Sequence, residues 1–394
     1  MKSLIKLFVR VTILGMCGSY GFAQSNGLHS SSAGAASSVN TSTTQSSRLD
    51  KLQFDWKMGM SGSSLTDENR DLKLVSFGAD FKFNYLLSKS LLLNLEPGVR
   101  LQSGNTQSLE SADKPENKIS VRQAALHYSP FWPITMSAGA LAQGETHSDL
   151  LVDSIAFPAA KVAVTFAKFD RHNLKLIAAE AIPTSSSLAT QSQDLEKTPT
   201  FLSAAMQYTY GNRNTARMRL RGGYFQYNDL PSAVAFKSGL SGNTVEPVNN
   251  SRATFVYEYK GVEASLDTVL PIGTFMNLNA SGDYVKNTAA PEESNMAYEG
   301  SLGADFFINK DYTVQIAGGG FRVEEDAAVA YFLSPVRTFG TNRVGYNGSF
   351  FVKLNQDNYR IGAEYAEADV IFLNDSQSRE KYIGLKLETF YANL

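Results

Sequence analysis

The chain has 394 residues, 43% of them hydrophobic, which is enough for one very large domain or two ordinary ones. Its formal net charge of -2 gives no reason to expect nucleic acid or a generally acidic partner. No run of about 20 apolar residues follows the N-terminus, which argues against a helical membrane protein but not against a barrel, whose strands alternate.

The first residues have the features of a secretory signal peptide. Three basic residues within the first ten precede a short apolar segment at 11–17, and Gly21-Phe22-Ala23 has the small-x-small pattern of a cleavage site. An uncleaved membrane anchor is the alternative, and the shortness of the apolar segment disfavours it. We therefore predict that residues 1–23 are a signal peptide and that the protein is exported.

The next segment, residues 24–48, consists almost entirely of small and polar residues. Such a composition cannot bury a core, so we predict a flexible leader rich in Ser and Thr. The single cysteine, Cys17, lies within the predicted signal peptide. The mature protein would then depend on its fold rather than on disulfides for stability.

From residue 49 to residue 394 the dominant pattern is alternation of apolar and polar residues. The segment KLQFDWKMGM, residues 51–60, has apolar residues at every even position, and SFGADFKFNY, residues 76–85, has an apolar or small residue at every odd position. Because successive side chains of a strand point to opposite faces, this period predicts β-strands with one apolar face. Helical spacing is absent over any comparable length.

The connections between these strands alternate between short turns and long polar segments. The long ones are residues 61–70, 103–116, 143–160, 184–199, 228–251, 287–294, 324–341 and 372–380. This rhythm predicts an all-β fold, a transmembrane antiparallel β-barrel of about 16 strands with short periplasmic turns and long external loops. One segment, RATFVYEYKGVEASLDTVL, is ambiguous: one strand with a bulge at Lys260-Gly261 gives an even count, and two strands give an odd one.

The two faces of the predicted strands indicate different surroundings. A large soluble β-sandwich or propeller would bury the apolar faces, but small residues such as Ala204, Gly282 and Gly318 on these faces pack a core poorly and suit lipid better. The polar faces carry many charges, which cost several kcal/mol each in a dry core unless paired. A barrel of this size is also too wide for side chains to fill. We therefore predict a water-filled pore.

Over almost the whole mature chain this architecture resembles the general bacterial outer-membrane porins, a family of 16-stranded barrels, although no short motif carries the resemblance. The family ends on an aromatic residue, usually Phe or Trp, whereas this chain ends Phe390-Tyr391-Ala392-Asn393-Leu394. The resemblance implies that the third external loop folds into the barrel and forms a constriction opposite basic residues. That loop corresponds to QGETHSDLLVDSIAFPAAK, in which Glu145, Asp149 and Asp153 are the acidic candidates.

Alternate positions of TARMRLRGGY place Arg217, Arg219 and Arg221 on the polar face of one strand. We expect these arginines to line the pore as a cationic ladder, joined by Lys82, Arg100 and Arg122, and to oppose the acidic loop so that the field orients small polar solutes. Arg122 is the uncertain member, because the alternation changes parity between residues 121 and 124. Two alternatives stay open: the arginines only brace the wall by pairing with carboxylates, or they form the track of an anion-selective channel.

Other functions have less support in the sequence. It contains no nucleophile motif, and we predict no catalytic residue, cofactor or metal site. Of its four histidines, only His147 in the third loop is a candidate for catalysis. We expect His147 to be a solvated loop residue instead. An outer-membrane enzyme or a barrel that serves only as a surface anchor remains an alternative. The expected partners are outer-membrane lipids, the outer-membrane assembly machinery and small hydrophilic solutes or ions, and the resemblance implies a homotrimer.

Overall fold

The structure is a computed structural model. It describes residues 52–394 apart from 69, 109–114, 116, 154, 170, 184–195, 212–215, 247–252, 335–336, 356–357, 375, 391 and 394. The predicted signal peptide, its cleavage site and the predicted leader lie outside the described residues, so all three stay predictions.

Sixteen long strands run through the described part of the chain. They are β1 Leu52–Thr66, β2 Arg70–Ser88, β3 Leu91–Ser108, β4 Lys118–Phe131, β5 Ile134–Ala142, β6 Ala156–Phe169, β7 His172–Ala181, β8 Thr200–Tyr210, β9 Arg217–Asn228, β10 Lys260–Ile272, β11 Met276–Asn287, β12 Met296–Phe307, β13 Tyr312–Val323, β14 Arg343–Leu354, β15 Tyr359–Val370 and β16 Glu380–Thr389. A single α-helix among these residues, α1, spans Ser232–Leu240. No helix in the described ranges is long and apolar enough to cross a bilayer.

The sheet closes on itself. Every strand pairs antiparallel with its neighbours in sequence, and β16 pairs back onto β1 from Gly59↔Glu388 to Thr66↔Lys381. The short segment Ala392–Asn393 continues this pairing on β1 opposite Asp55 and Trp56. The predicted antiparallel barrel with 16 strands is therefore confirmed.

The alternation in the sequence determines which side chains face outward. Leu302 on β12, Ile316 on β13 and Phe350 on β14 lie in a continuous outer surface and are 65%, 48% and 49% exposed. Large apolar side chains exposed over a whole barrel would favour aggregation in water, whereas a bilayer solvates them. The outer surface is thus built for lipid.

The predicted first and second long connections are shorter than expected. Strand β1 continues to Thr66 and β2 starts at Arg70, so only residues 67–69 connect them, and β3 extends to Ser108. Residues 61–66 are mostly polar, but their backbone is paired with β2 on one side and β16 on the other. Cross-strand pairing on both sides here outweighs the polar composition.

The ambiguous segment at residues 252–270 forms neither two barrel strands nor one long bulged strand. Its first part is loop, in which Thr254–Phe255 pairs with Val245–Glu246 in a small separate hairpin. Only the part from Lys260 onward joins the barrel, between β9 and β11. The change of apolar parity at Lys260-Gly261 therefore marks the start of β10 rather than a bulge.

The main buried apolar cluster lies inside the barrel, at the end where the long loops emerge. It combines inward-facing residues of the wall with residues of three loops, which we call L3 (143–155), L5 (229–259) and L7 (324–342). Leu150, Leu151 and Val152 of L3 are fully buried in it. The rings of Phe332 in L7 and Tyr227 on β9 stack 5.6 Å apart. A lipid-facing barrel has no core behind its apolar face, so this cluster is where the loops gain hydrophobic stabilisation.

Candidate lumenal site

Loop L3 contacts the inner wall at β10 and β11. The backbone N–H of Ser148 donates to Glu263 Oε2 at 2.8 Å, and the Ser148 hydroxyl donates to Asp283 Oδ1 at 2.8 Å. His147 Nδ1 lies 2.7 Å from Glu263 Oε1, with both side chains almost fully buried. Because hydrogen bonds to a carboxylate are stronger than neutral ones, these three contacts fix L3 against a wall four strands beyond its own exit strand, β6.

A second attachment connects L3, L7 and the wall through one arginine. The guanidinium of Arg337 in L7 donates from Nε to both carboxylate oxygens of Glu299 at 2.9 Å and pairs with Asp149 of L3 through Nη1. Asp283 Oδ2 lies 3.9 Å from Nη2. Burial alone would lower the pKa of Arg337, but the charges of Glu299, Asp149 and Asp283 outweigh it and raise that pKa above its ordinary value. The arginine therefore stays charged and holds three carboxylates together.

L5 and L7 are attached to each other by buried hydrogen bonds. Asp326 of L7 accepts bonds from the backbone N–H of Thr244 at 3.0 Å, the Thr244 hydroxyl at 2.7 Å and the Tyr259 hydroxyl at 3.0 Å. Burial raises the pKa of Asp326, and burial together with the Asp326 charge raises the pKa of Tyr259. Asn243 adds bonds to the carbonyls of Glu325 and Ala328. L5 and L7 therefore form one folded unit at the barrel mouth.

The three acidic candidates of L3 lie in three different surroundings. Glu145 is exposed, and its charge interacts with that of Lys161 on β6. Asp149 pairs with Arg337. Asp153 is buried, and its backbone N–H donates to the carbonyl of Phe332 at 2.8 Å. The three acidic residues therefore have different neighbours, and their role as one acidic face of a constriction stays a prediction.

The predicted arginine ladder lies on the inner face of β9, opposite in parity to the outward Leu220 and Tyr224. Arg219 pairs with Asp267 of β10, with Nη2 to Oδ2 at 2.7 Å and Nε to Oδ2 at 2.9 Å. Arg221 is only 5% exposed, and its Nε has no hydrogen-bond partner among the described residues. Arg217, at the first position of β9, is partly exposed. The ladder thus contains one paired member and two without an ion pair in the described part of the chain.

The other three basic candidates lie on a different part of the wall. Lys82 on β2 pairs with Glu96 on β3 at 3.0 Å, and Arg122 on β4 lies 3.2 Å from Asp80 on β2. The charge of Arg100 interacts with Asp80 as well. Strands β5 to β8 separate this group from β9, so it does not extend the ladder. The parity change near Arg122 has a physical cause: the pairing of β3 with β4 shifts register there, and Arg122 is the extra residue.

His147 is buried instead of solvated, which corrects the expectation from its polar loop. Its ring packs edge-on against Phe201 with centroids 4.9 Å apart. The adjacent Ser148 hydroxyl points to Asp283 and not to the imidazole, so the pair has no nucleophile–base hydrogen bond. In the described ranges no group of three or more His, Cys, Asp or Glu side chains is placed to hold a metal ion.

The alternation in the sequence predicts only that charged residues such as Glu263, Asp283 and Glu299 face the interior, and it does not identify Arg337 as their partner. The three carboxylates come from three consecutive strands and are directly opposite or diagonal to one another in the barrel. Acidic side chains that cluster on neighbouring inner faces need a cation nearby to stay ionised. This requirement was the one indication that a basic residue packs against them. Arg337 is the only lysine or arginine in residues 324–342, but nothing in the sequence indicates that L7 packs over these three strands.

No protein-family model and no curated protein matches the sequence. Among solved structures, OprB of Pseudomonas putida superposes with a TM-score of 0.54 at 12% identity, covering 86% of this chain and 94% of that chain. OmpT of Vibrio cholerae, an outer-membrane protein, gives a TM-score of 0.50 at 12% identity, covering 86% of this chain and 97% of that chain. The chain therefore has a porin-like architecture.

The fold and the outer surface agree with each other. A closed 16-stranded antiparallel barrel with an outward apolar band is the architecture of bacterial outer-membrane porins. Both findings support the bacterial outer-membrane location that the sequence predicts.

Proposed function

We propose that the protein is an outer-membrane porin that forms a water-filled channel for passive diffusion of small hydrophilic solutes. The observation that carries this proposal is the charged inner face of a 16-stranded barrel. Ion pairs on that face include Lys57–Glu388 at 3.0 Å, between β1 and β16, and Lys386–Glu364 at 2.6 Å, between β16 and β15. Charged side chains of this density require water around them.

The finer mechanism is part of the same proposal. L3, held against β10 and β11 by His147 and Ser148, narrows the channel, and the arginines of β9 contribute positive charge beside it. The fixed charges in a lumen with low-dielectric walls dominate its field. Small polar solutes are then oriented as they pass, while apolar solutes are disfavoured.

Conductance of the purified protein in planar bilayers tests the channel. We expect stepwise increases in current from single insertions, together with a barrel that keeps its compact gel mobility until it is heated. A barrel that stays intact on gels but never conducts would contradict the channel and leave the fold standing. In that case a surface anchor or an outer-membrane enzyme becomes the better proposal, and His147 is the first residue to test.

The ladder is tested by replacing Arg217, Arg219 and Arg221 with glutamine and measuring the reversal potential in a salt gradient. Each lumenal charge without an ion pair changes the anion-to-cation permeability ratio by about tenfold, because at about 6 Å in water it attracts an anion and repels a cation by about 0.7 kcal/mol each. Arg322→Gln, on the outer face of β13, is the control and should leave the potential unchanged. An unchanged potential in the triple variant would restrict these arginines to bracing the wall.

We also propose that the protein functions as a homotrimer inserted by the outer-membrane assembly machinery. The support is the porin-like fold together with small outward residues, Gly282 and Gly300, directly opposite each other on β11 and β12. Chemical cross-linking in native membranes tests this assembly, and we expect cross-linked trimers on gels. Monomers alone after cross-linking would contradict it.

A further inference from the structure

Three ring side chains form a row on the outer face of β6, β7 and β8, at the end of the barrel where the short turns lie. Phe169 is directly opposite His172, and His172 is directly opposite Tyr210. With strands about 4.8 Å apart, the row spans about 10 Å of the wall. Phe169 is 70% exposed, His172 is exposed and Tyr210 is partly exposed. We call these three residues the aromatic row.

The central ring of the row is held in place by its neighbours. His172 Nδ1 lies 2.7 Å from the hydroxyl oxygen of Tyr208 on β8. The ring centroids of His172 and Tyr210 are 5.0 Å apart, and the two planes are inclined by 50°. Rings inclined in this way do not cover each other as a parallel stack does, so part of each face stays open to the membrane. The row is therefore an ordered surface of aromatic faces.

The wall changes character on the two sides of the aromatic row. Toward the middle of the strands, the outward Leu176 on β7 and Met206 on β8 are 41% and 57% exposed. Toward the turn lies Arg171, which is exposed, and whose carbonyl accepts a hydrogen bond from the N–H of Gly211 at 2.9 Å. Acyl chains along this wall would contact apolar side chains, and the headgroup above them would contact the rings and the guanidinium.

We propose that the aromatic row and Arg171 form a binding site for a glycerophospholipid whose headgroup carries an ammonium group. Aromatic faces attract an ammonium group, and a guanidinium binds a phosphate through charge-assisted hydrogen bonds. Both charges of such a headgroup have a partner at this site, whereas a headgroup with a phosphate alone can use only Arg171. The inference rests on the membrane location of the barrel and does not depend on the proposed channel.

Native mass spectrometry of the barrel released from lipid nanodiscs measures which lipids stay bound. The nanodiscs contain equal parts of phosphatidylethanolamine, phosphatidylcholine and phosphatidylglycerol, and only barrels with compact gel mobility are compared. We expect the wild type to retain the two lipids with an ammonium group in preference to phosphatidylglycerol. Phe169→Leu/Tyr210→Leu should lower this preference about tenfold, because each cation–π contact at an exposed site changes an equilibrium constant about threefold.

Two further variants separate this site from a general effect of outward aromatic residues. Tyr284→Leu/Tyr298→Leu removes two outward tyrosines that are directly opposite each other at the long-loop end, and it should retain lipids as the wild type does. Tyr208→Phe removes only the hydroxyl that holds His172 and should lower the preference about threefold.

Three results would overturn the site. They are a wild type without headgroup preference, equal losses in the two leucine variants, and an unchanged preference in Tyr208→Phe. The last result decides the question even if the leucine substitutions in the aromatic row prevent folding.

Discussion

Arg337 is the residue on which the attachment between L3, L7 and the wall depends. It is the cation nearest to Glu299, Asp149 and Asp283, and its side chain is 13% exposed. A buried cation paired with acids contributes little more to the free energy of unfolding than apolar packing would. Removing the cation, however, leaves the buried carboxylates without a compensating charge, which is strongly destabilising. Arg337 therefore stabilises the loop assembly through its position between L3, L7 and the wall, and not through its charge alone.

Replacing Arg337 with glutamine should destabilise the loop assembly by about 3–5 kcal/mol, because three neighbouring carboxylates lose their cation. The barrel itself should still form, since its strands are paired independently of L7. The measurement is the temperature at which the purified barrel loses its compact gel mobility, together with open-channel noise in bilayers. Arg322→Gln, which removes a partly exposed pair with Glu324 at 3.3 Å, should change stability by less than about 1 kcal/mol. Equal effects of the two substitutions would contradict the role of Arg337.

The elements of this protein divide into barrel strands and loops that fold on each other. The strands are predictable from the two-residue period of the sequence, because odd and even positions of a strand face opposite sides, one toward lipid and the other toward the lumen. The loops follow no such period, because their contacts join distant residues: Asp326 bonds to Thr244, 82 positions away, and to Tyr259, 67 positions away. Alternation therefore predicted β9 and the inward position of its arginines, whereas the start of β10 and the burial of His147 depended on contacts that the sequence pattern does not contain.

Replacing Asp326 with alanine should loosen L5 from L7 while leaving the strands unchanged. The substitution leaves the Thr244 N–H, the Thr244 hydroxyl and the Tyr259 hydroxyl without their acceptor, and each unsatisfied buried group costs about 1–3 kcal/mol. Amide hydrogen exchange in α1 should accelerate by at least about tenfold. Glu292→Ala, an exposed acid in the loop between β11 and β12, is the matched control. If exchange in α1 is the same in both variants, Asp326 does not hold L5.

The whole molecule is a cylinder whose outer face is suited to lipid and whose inner face, in the proposed channel, is in contact with water. Composition alone cannot separate these solvents, because the apolar and polar residues of each strand average to an ordinary soluble protein. Parity separates them: Leu302 and Ser301 are neighbours in sequence, yet the first is in the outer apolar surface and the second hydrogen-bonds Ser281 on the inner face at 2.7 Å. The barrel and its closure were predictable for this reason, whereas the way the loops fill its mouth was not.

Leu302→Arg and Ser301→Arg test this division with the same new side chain at adjacent positions of β12. An arginine in the middle of the lipid face should cost about 2–4 kcal/mol, and one on the inner face should cost much less because water solvates it. The measurement is the free energy of unfolding in phospholipid bilayers by denaturant titration. Similar costs at both positions would contradict a hydrated interior.

The pairing of β16 with β1 joins residues that are more than 300 positions apart in the chain. Until β16 arrives, β1 and β15 each present an unpaired row of backbone N–H and C=O groups, which hydrocarbon cannot satisfy. Insertion of strands one by one into the bilayer would therefore expose such an edge at every step. The β16–β1 pairing therefore removes both edges at once, and every long strand of the closed barrel is hydrogen-bonded on both sides.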